Sequence, residues 1–271
     1  MTIIVDHRTQ LDDYLLGHNV KLVASASKHR ILVSTLSLKP GETILKDTAL
    51  TTSSTSPSVC HSCLRTSLKL SVCTKCKTAK YCSRTCQSHE WKKGHKVLCD
   101  ILSTTKSDNA DYGEVDLLIK IIIKSKTESN TIRFKSFNML MDHLEDFDPD
   151  TLAEMNKTVD VVLNNTEMNT ILSSETINPR SLALRYLGRF KSNNYVIYDD
   201  DLNVTGEGCF AIGGLFNHSC YPNVSIGFDN GKDMILRVLR DVKVGDELVV
   251  AYQDSMTSRS RRRDVLRMKY Q

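Results

Sequence analysis

Seven of the chain's nine cysteines fall between Cys60 and Cys99, and their spacing is that of a metal-binding module. Cys60-x2-Cys63, Cys73-x2-Cys76, Cys82-x3-Cys86 and His95-x3-Cys99 are four close pairs, each able to clasp one side of a metal ion. Eight ligands of this kind fill two tetrahedral zinc sites and leave no coordination position open, which marks a structural rather than a catalytic metal. A segment of about 40 residues cannot bury enough surface to fold unaided, so metal binding must supply the difference. His61 and His89 are rival ligands that would break the close-pair spacing, and they are expected at the surface.

A second group of chemistry-bearing residues lies near the C-terminal end. Asn217-His218-Ser219-Cys220-Tyr221-Pro222-Asn223 offers polar side chains able to satisfy a ligand or buried backbone. Taken alone, it reads equally well as a polar turn before a strand. Gly245-Asp246-Glu247-Leu248-Val249-Val250-Ala251-Tyr252 follows as a turn and a strand that ends in tyrosine. Cys209 and Cys220, the two cysteines outside the cluster, are expected to be buried small hydrophobes.

The elements that must position these residues alternate in character. Residues 19–50 read as short strands with a turn at Lys39-Pro40-Gly41-Glu42, and Thr51–Ser58 reads as a linker into the zinc module. Residues 111–190 become helical, with Val115, Leu118, Ile119, Ile122 and Ile123, then Phe134, Phe137, Leu140, Met141 and Leu144, at helical spacing. Three or four helices are expected there. Strand patterns and glycine turns return from residue 193, so a β-like start and a β-like end flank two inserts, and the two halves should pair in space. The 271 residues suffice for a real core, and 40% hydrophobic with 25% charged content is ordinary for a globular chain. No apolar run approaches a membrane span, and the N-terminus lacks a secretory signal, so a thiol-reducing compartment is expected, nucleus and cytoplasm. Residues 60–100 carry nine Lys/Arg against Glu90 and Asp100, a net of +7 in a chain of +4. Thiolate–zinc charge lowers this to roughly +4, which suits an acidic partner or merely a solvated surface.

With Tyr81-Cys82-Ser83-Arg84-Thr85-Cys86-Gln87, Trp91 and Gly94-His95-Lys96-Val97-Leu98-Cys99, the segment from Cys60 to Cys99 resembles the MYND zinc finger. The resemblance implies a cross-brace, with Cys60, Cys63, Cys82 and Cys86 on one zinc and Cys73, Cys76, His95 and Cys99 on the other. It also implies a protein-interaction module that reads proline-rich peptides. The two C-terminal motifs resemble those of SET lysine methyltransferases. Asn193-Asn194-Tyr195-Val196-Ile197, Gly206-Glu207-Gly208-Cys209-Phe210 and the Lys39–Glu42 turn match further segments of that family. Together these resemble the SET and MYND domain family over nearly the whole chain. The implied fold is mixed α+β: a β-rich SET domain (1–55 and 191–255) split by a MYND finger (60–99) and a helical insert (105–190), with a C-terminal segment at 256–271.

The implied activity is S-adenosylmethionine-dependent methylation of a protein lysine, on histones or other proteins. A free lysine has a pKa of about 10.4, so a site must favour the scarce neutral amine and align it for transfer. By resemblance, Tyr252 stands at the transfer centre and Tyr270 lines the lysine channel. Asn193, Asn217, His218 and His143 would contact the cofactor, with Asp142 where the family commonly has Ser. Lys28, His29 and Arg30 occupy the cofactor-facing segment, where His29-Arg30-Ile31 replaces a Gly-x-Gly. No cysteine follows Cys220, so a post-SET zinc site is not expected within residues 221–271. Those two departures motivate a rival: a non-enzymatic scaffold recruiting partners through its finger. Weak nucleic-acid contact through the basic finger is a third reading, and the chain is expected to be a monomer with no membrane contact.

Overall fold

The computed structural model describes residues 3–54, 56–104, 112–229, 231–253 and 257–269. A helix not anticipated from sequence, α1 (Ile3–Leu16), precedes the hairpin β1 (Val20–Ser25) and β2 (His29–Ser34). Leu11 and Leu15 of α1 are buried in the main core. Next come β3 (Thr43–Thr48) and β4 (Thr51–Ser54). The finger contains β5 (Ser71–Val72), β6 (Lys80–Tyr81), α2 (Arg84–Glu90), a wide turn at Trp91–His95 and α3 (Lys96–Thr104). Five helices follow, one more than the upper expectation: α4 (Tyr112–Thr127), α5 (Ile132–Asn138), α6 (Pro149–Leu163), α7 (Thr166–Ser173) and α8 (Pro179–Asn193). The remainder is β7 (Asn194–Tyr198), β8 (Val204–Cys209), a short 3-10 turn at Gly213–Leu215, β9 (Asn217–His218), β10 (Val224–Asp229), β11 (Asp233–Val238), β12 (Val249–Val250) and α9 (Arg259–Lys269).

The two ends of the chain do pair. β3 runs antiparallel to β11, itself paired with β10, while β4 runs antiparallel to β8, itself paired with β7. β9 and β12 pair in parallel, and a bridge from Val33 to Glu247 ties β2 to the approach to β12. Thr51–Ser54 is therefore a strand, not a linker. A polar Thr/Ser run carries no hydrophobic alternation, and the register is imposed by close approach to Gly206. A Cβ there would lie 2.3 Å from the Ser53 carbonyl oxygen.

Helix starts in the insert follow local rules. Thr131, Asp148, Asn165 and Asn178 each accept backbone N–H bonds at an N-cap, and Pro149 and Pro179 occupy the first turn. The periodicity through Leu144 overshoots. α5 stops at Asn138, and residues 139–148 form a loop with Leu140 buried and Met141 half-exposed. No helix among the described residues is long and apolar enough to cross a membrane.

The finger is seated on the body rather than tethered to it. Val97, Leu98 and Ile101 of α3, with Val59 and Leu64, join the main core, while Cys99 faces the metal cluster. Gly94 has φ of +145°, and a Cβ there would press Ile119 of α4 at 3.2 Å, so only glycine suits both the turn and the approach. At the same seam Lys120 of α4 contacts Glu90 of the finger at 2.5 Å and Asp116 at 2.6 Å, all three side chains buried, and donates to the Thr52 carbonyl of β4 at 3.0 Å.

Candidate active site and zinc centres

In the finger, β6 and α2 deliver Cys82 and Cys86, with Ser83 capping α2 through the Cys86 N–H. Cys60-x2-Cys63 and Cys73-x2-Cys76 form matching turns. In each, the N–H of the following residue (Leu64, Lys77) reaches back to the first cysteine's carbonyl, and that residue takes φ near +57°. The turn ending at Gly94 brings His95 inward, where Tyr81 packs edge-on at 5.6 Å between ring centres.

The ligand atoms converge as two groups, Cys60–Cys63–Cys82–Cys86 and Cys73–Cys76–His95–Cys99, each within 4.8 Å. Sulfur separations of 3.7 Å (Cys63–Cys82), 3.6 Å (Cys82–Cys86) and 3.7 Å (Cys73–Cys99) fit zinc, since bonds of about 2.3 Å place tetrahedral sulfurs about 3.8 Å apart. His61 and His89 stay outside both groups. His89 is exposed as expected, but His61 is half-buried, its Nδ1 accepting the Lys80 N–H at 2.9 Å and so stapling β6 to the first turn.

In the body, residues from six distant segments, Ile226–Phe228 of β10 among them, line one cleft of about 1110 Å³. Lys28, His29 and Arg30 come from the β1–β2 hairpin, and Met141 and His143 from the 139–148 loop. Asn193, Asn194 and Tyr195 come from the α8–β7 junction, Gly214 and Asn217 from the turn into β9, and Ala251, Tyr252 and Gln253 from beyond β12. Asn193 pins two of these segments together, its Nδ2 donating to the Met141 and Arg189 carbonyls. His143 sits on the loop rather than on a helix, with φ of +48° and Nδ1 2.9 Å from Asp146. Asp142 is paired with Arg185.

Glu247, to which sequence reasoning gave no role, borders a smaller neighbouring pocket and ties together residues that line the cleft. Lys28 pairs with its Oε2 at 2.6 Å, and Asn217 Nδ2 donates to its Oε1 at 2.9 Å and to the Arg30 carbonyl at 2.8 Å. The Asn217 amide hydrogens are thereby committed to holding β9 against β2. Arg30 lines the cleft, and burial pushes its guanidinium below its ordinary value despite nearby Tyr252. His29, at the first position of the replaced Gly-x-Gly, keeps a left-handed φ of +60°.

His218 is placed differently from its neighbours. Among the described residues it does not line the large cleft, but borders a smaller pocket of about 340 Å³ with Ser219, Tyr221 and Arg240. Its Nδ1 accepts the Tyr252 N–H at 2.9 Å. With Nδ1 accepting, the ring carries its proton on Nε2, 3.2 Å from Cys220 Sγ, and burial, then Arg262, lowers its pKa. Its side chain thus fixes the Tyr252 backbone. Tyr252 donates its hydroxyl to the Phe216 carbonyl at 2.6 Å. Cys209 is fully buried as expected, but Cys220 is exposed, because the turn after β9 carries it outward. Tyr270 lies outside the described residues.

A mixed α+β fold, a two-zinc finger and a polar cleft at the junction of the chain's two halves define the class. Residues 60–99 match the MYND finger family. Over 93% of its length the chain is 29% identical to human histone-lysine N-methyltransferase SMYD3, and 28% identical over 93% to mouse histone-lysine N-methyltransferase Smyd1. It is 28% identical over 91% to the Xenopus laevis N-lysine methyltransferase SMYD2-B. It spans 59%, 54% and 57% of those relatives. The solved SET domain of LSMT bound to lysine and AdoHcy covers 99% of this chain and 57% of its own at TM-score 0.49 and 12% identity, too loose a likeness to carry a conclusion.

Proposed function

We propose that this chain is the SET and MYND portion of a protein-lysine methyltransferase that uses S-adenosylmethionine. The observation that carries this reading is the convergence on one cleft of Lys28, Arg30, His143, Asn193, Asn217 and Tyr252, drawn from segments far apart in sequence. S-adenosylmethionine supplies an activated methyl on a sulfonium. Arg30, His143 and Asn193 are the side chains on the cleft wall that would hold it. Lys28, Glu247 and Asn217 keep the hairpin and β9 in register. Tyr252, fixed through its backbone by His218 and through its hydroxyl by the Phe216 carbonyl, would orient the reacting lysine amine. The substrate class is a protein lysine, on histone or other nuclear or cytoplasmic proteins, and the finger is a docking module for proline-rich peptides.

The rival reading, a scaffold that retains the fold without turnover, is favoured by His29 and Ile31 where the pattern asks for glycine, and by the committed Asn217 amide. Two measurements separate the readings. Calorimetric titration with S-adenosylmethionine should show binding, and none at millimolar cofactor would leave the scaffold. A radiolabelled methyl-transfer assay on a histone mixture should then show Tyr252→Phe at about 10²-fold lower turnover, the cost of misplacing reacting atoms by about 1 Å. Its thermal stability should fall by only about 1 kcal/mol for one lost hydrogen bond. Equal turnover with wild type refutes the role of the hydroxyl.

A further inference from the structure

Asp47 of β3 is 1% exposed and lies outside the cleft lining, yet its carboxylate holds the segment that contributes Gly214 and Asn217 to that lining. Oδ2 accepts the backbone N–H groups of both Ile212 and Gly213 at 2.9 Å, while buried Oδ1 has no hydrogen-bond partner. Those two N–H groups open the 3-10 turn at Gly213–Leu215. From there the chain runs through Gly214, which lines the cleft, and Phe216, whose carbonyl takes the Tyr252 hydroxyl. It ends at Asn217, which holds Arg30 and Glu247. Residues 212–217 are thus a strap under the site. Asp47 fastens one end, and Tyr252 with the β2 hairpin fastens the other.

Resting on the methyltransferase reading, we propose that Asp47 is a positioning residue whose carboxylate fastens this strap and thereby governs the cleft's affinity for S-adenosyl cofactor. An ionised carboxylate accepting two N–H bonds makes charge-assisted contacts roughly twice as strong as neutral ones. A protonated carboxyl loses that advantage, and the turn slackens. Burial pushes the Asp47 carboxyl up to about 6, opposed by the Gly213 and Ile212 N–H bonds and by Arg133, and reinforced by Asp233. Besides Arg133 of α5 and Asp233 of β11, Tyr14 of α1 and Cys209 at the end of β8 complete the titratable surroundings. The strap is therefore held tightly above about pH 6 and loosened below it.

The test titrates S-adenosylhomocysteine into the full chain between pH 5 and 8, for wild type, Asp47→Asn and Asp47→Ala, with thermal melts beside each. Wild type should lose affinity about 10-fold on going from pH 7.5 to 5, with the midpoint near 6. Asp47→Asn keeps an acceptor without the charge and should bind with intermediate, pH-independent affinity. Asp47→Ala should bind at least 10-fold more weakly at every pH. The cleft's own histidines are common to all three proteins, so an inflection that persists in Asp47→Asn overturns the proposal, as does flat binding in wild type. A readout independent of cofactor is amide hydrogen exchange in wild type. Protection of Ile212 and Gly213 should fall selectively below pH 6 and be unchanged elsewhere in the strands, and constant protection there overturns the proposal even if no variant folds. Absence of binding with the expected exchange profile would remove the methyltransferase reading while leaving the strap.

Discussion

Lys120→Met should unseat the finger from the body. The ammonium it removes sits between Glu90 and Asp116, with side chains only 5–8% exposed, and also donates to the Thr52 carbonyl. Burial opposes the lysine's charge, but the two carboxylates outweigh it and hold its pKa above the ordinary value. Glu90 is likewise held below its usual range, because Lys120 outweighs the burial that pushes it up. Asp116 is pushed up to about 6 by burial even with the lysine present. Removing one partner of such a group costs about 3–5 kcal/mol, against a net stability of about 5–15 kcal/mol for a typical domain. Without Lys120 both carboxyls have folded pKa values above their unfolded ones. They bind protons more tightly folded than unfolded, so the variant loses stability as pH rises through that window. The expected deficit is therefore about 3–5 kcal/mol at pH 8 and shrinks toward pH 5. Urea unfolding at both pH values measures it, with zinc content followed to show that the metal sites survive. The neutral combination Glu90→Gln, Asp116→Asn and Lys120→Met should recover most of the loss. A deficit under about 1 kcal/mol at pH 8, or one that grows on acidification, would refute the reasoning.

Purified protein should carry two zinc ions by elemental analysis, and Cys73→Ser should lose one and melt the finger locally, since binding energy there is folding energy; a count of zero or one in wild type rejects the cross-brace. His29→Gly should relieve left-handed backbone strain of about 1–2 kcal/mol and return about 0.4–1 kcal/mol through a freer unfolded chain, a net gain of about 0.5–1 kcal/mol by thermal melts. With the side chain gone from the cleft wall, cofactor affinity should rise, and unchanged binding would show that His29 does not obstruct.

What the sequence determined by itself was local. Eight zinc ligands follow from pairs with two or three residues between them, because a tetrahedral ion dictates that reach whatever surrounds it. The helices of the insert follow from a 3.6-residue period and from caps such as Asp148-Pro149. Resemblance to known families supplied the residues around the cleft, and it singled out Asn217 and Tyr252 by motif. Only tertiary structure decided what those residues do. Thr51–Ser54 carries no strand signal and becomes a strand because β8 offers it partners. Lys120, which interrupts an apolar run in sequence, is a buried cation because Glu90 arrives from a finger 30 residues away. His218 lies outside the cleft lining and holds the Tyr252 backbone, and Asp47 and Glu247 gain their places from hydrogen bonds to segments 165 and 219 residues distant. Coordination spacing and helical period are properties of neighbouring residues and survive in a one-dimensional text. Burial, pairing and charge compensation depend on which distant segments meet, and that is settled only when the two halves of the chain close on each other.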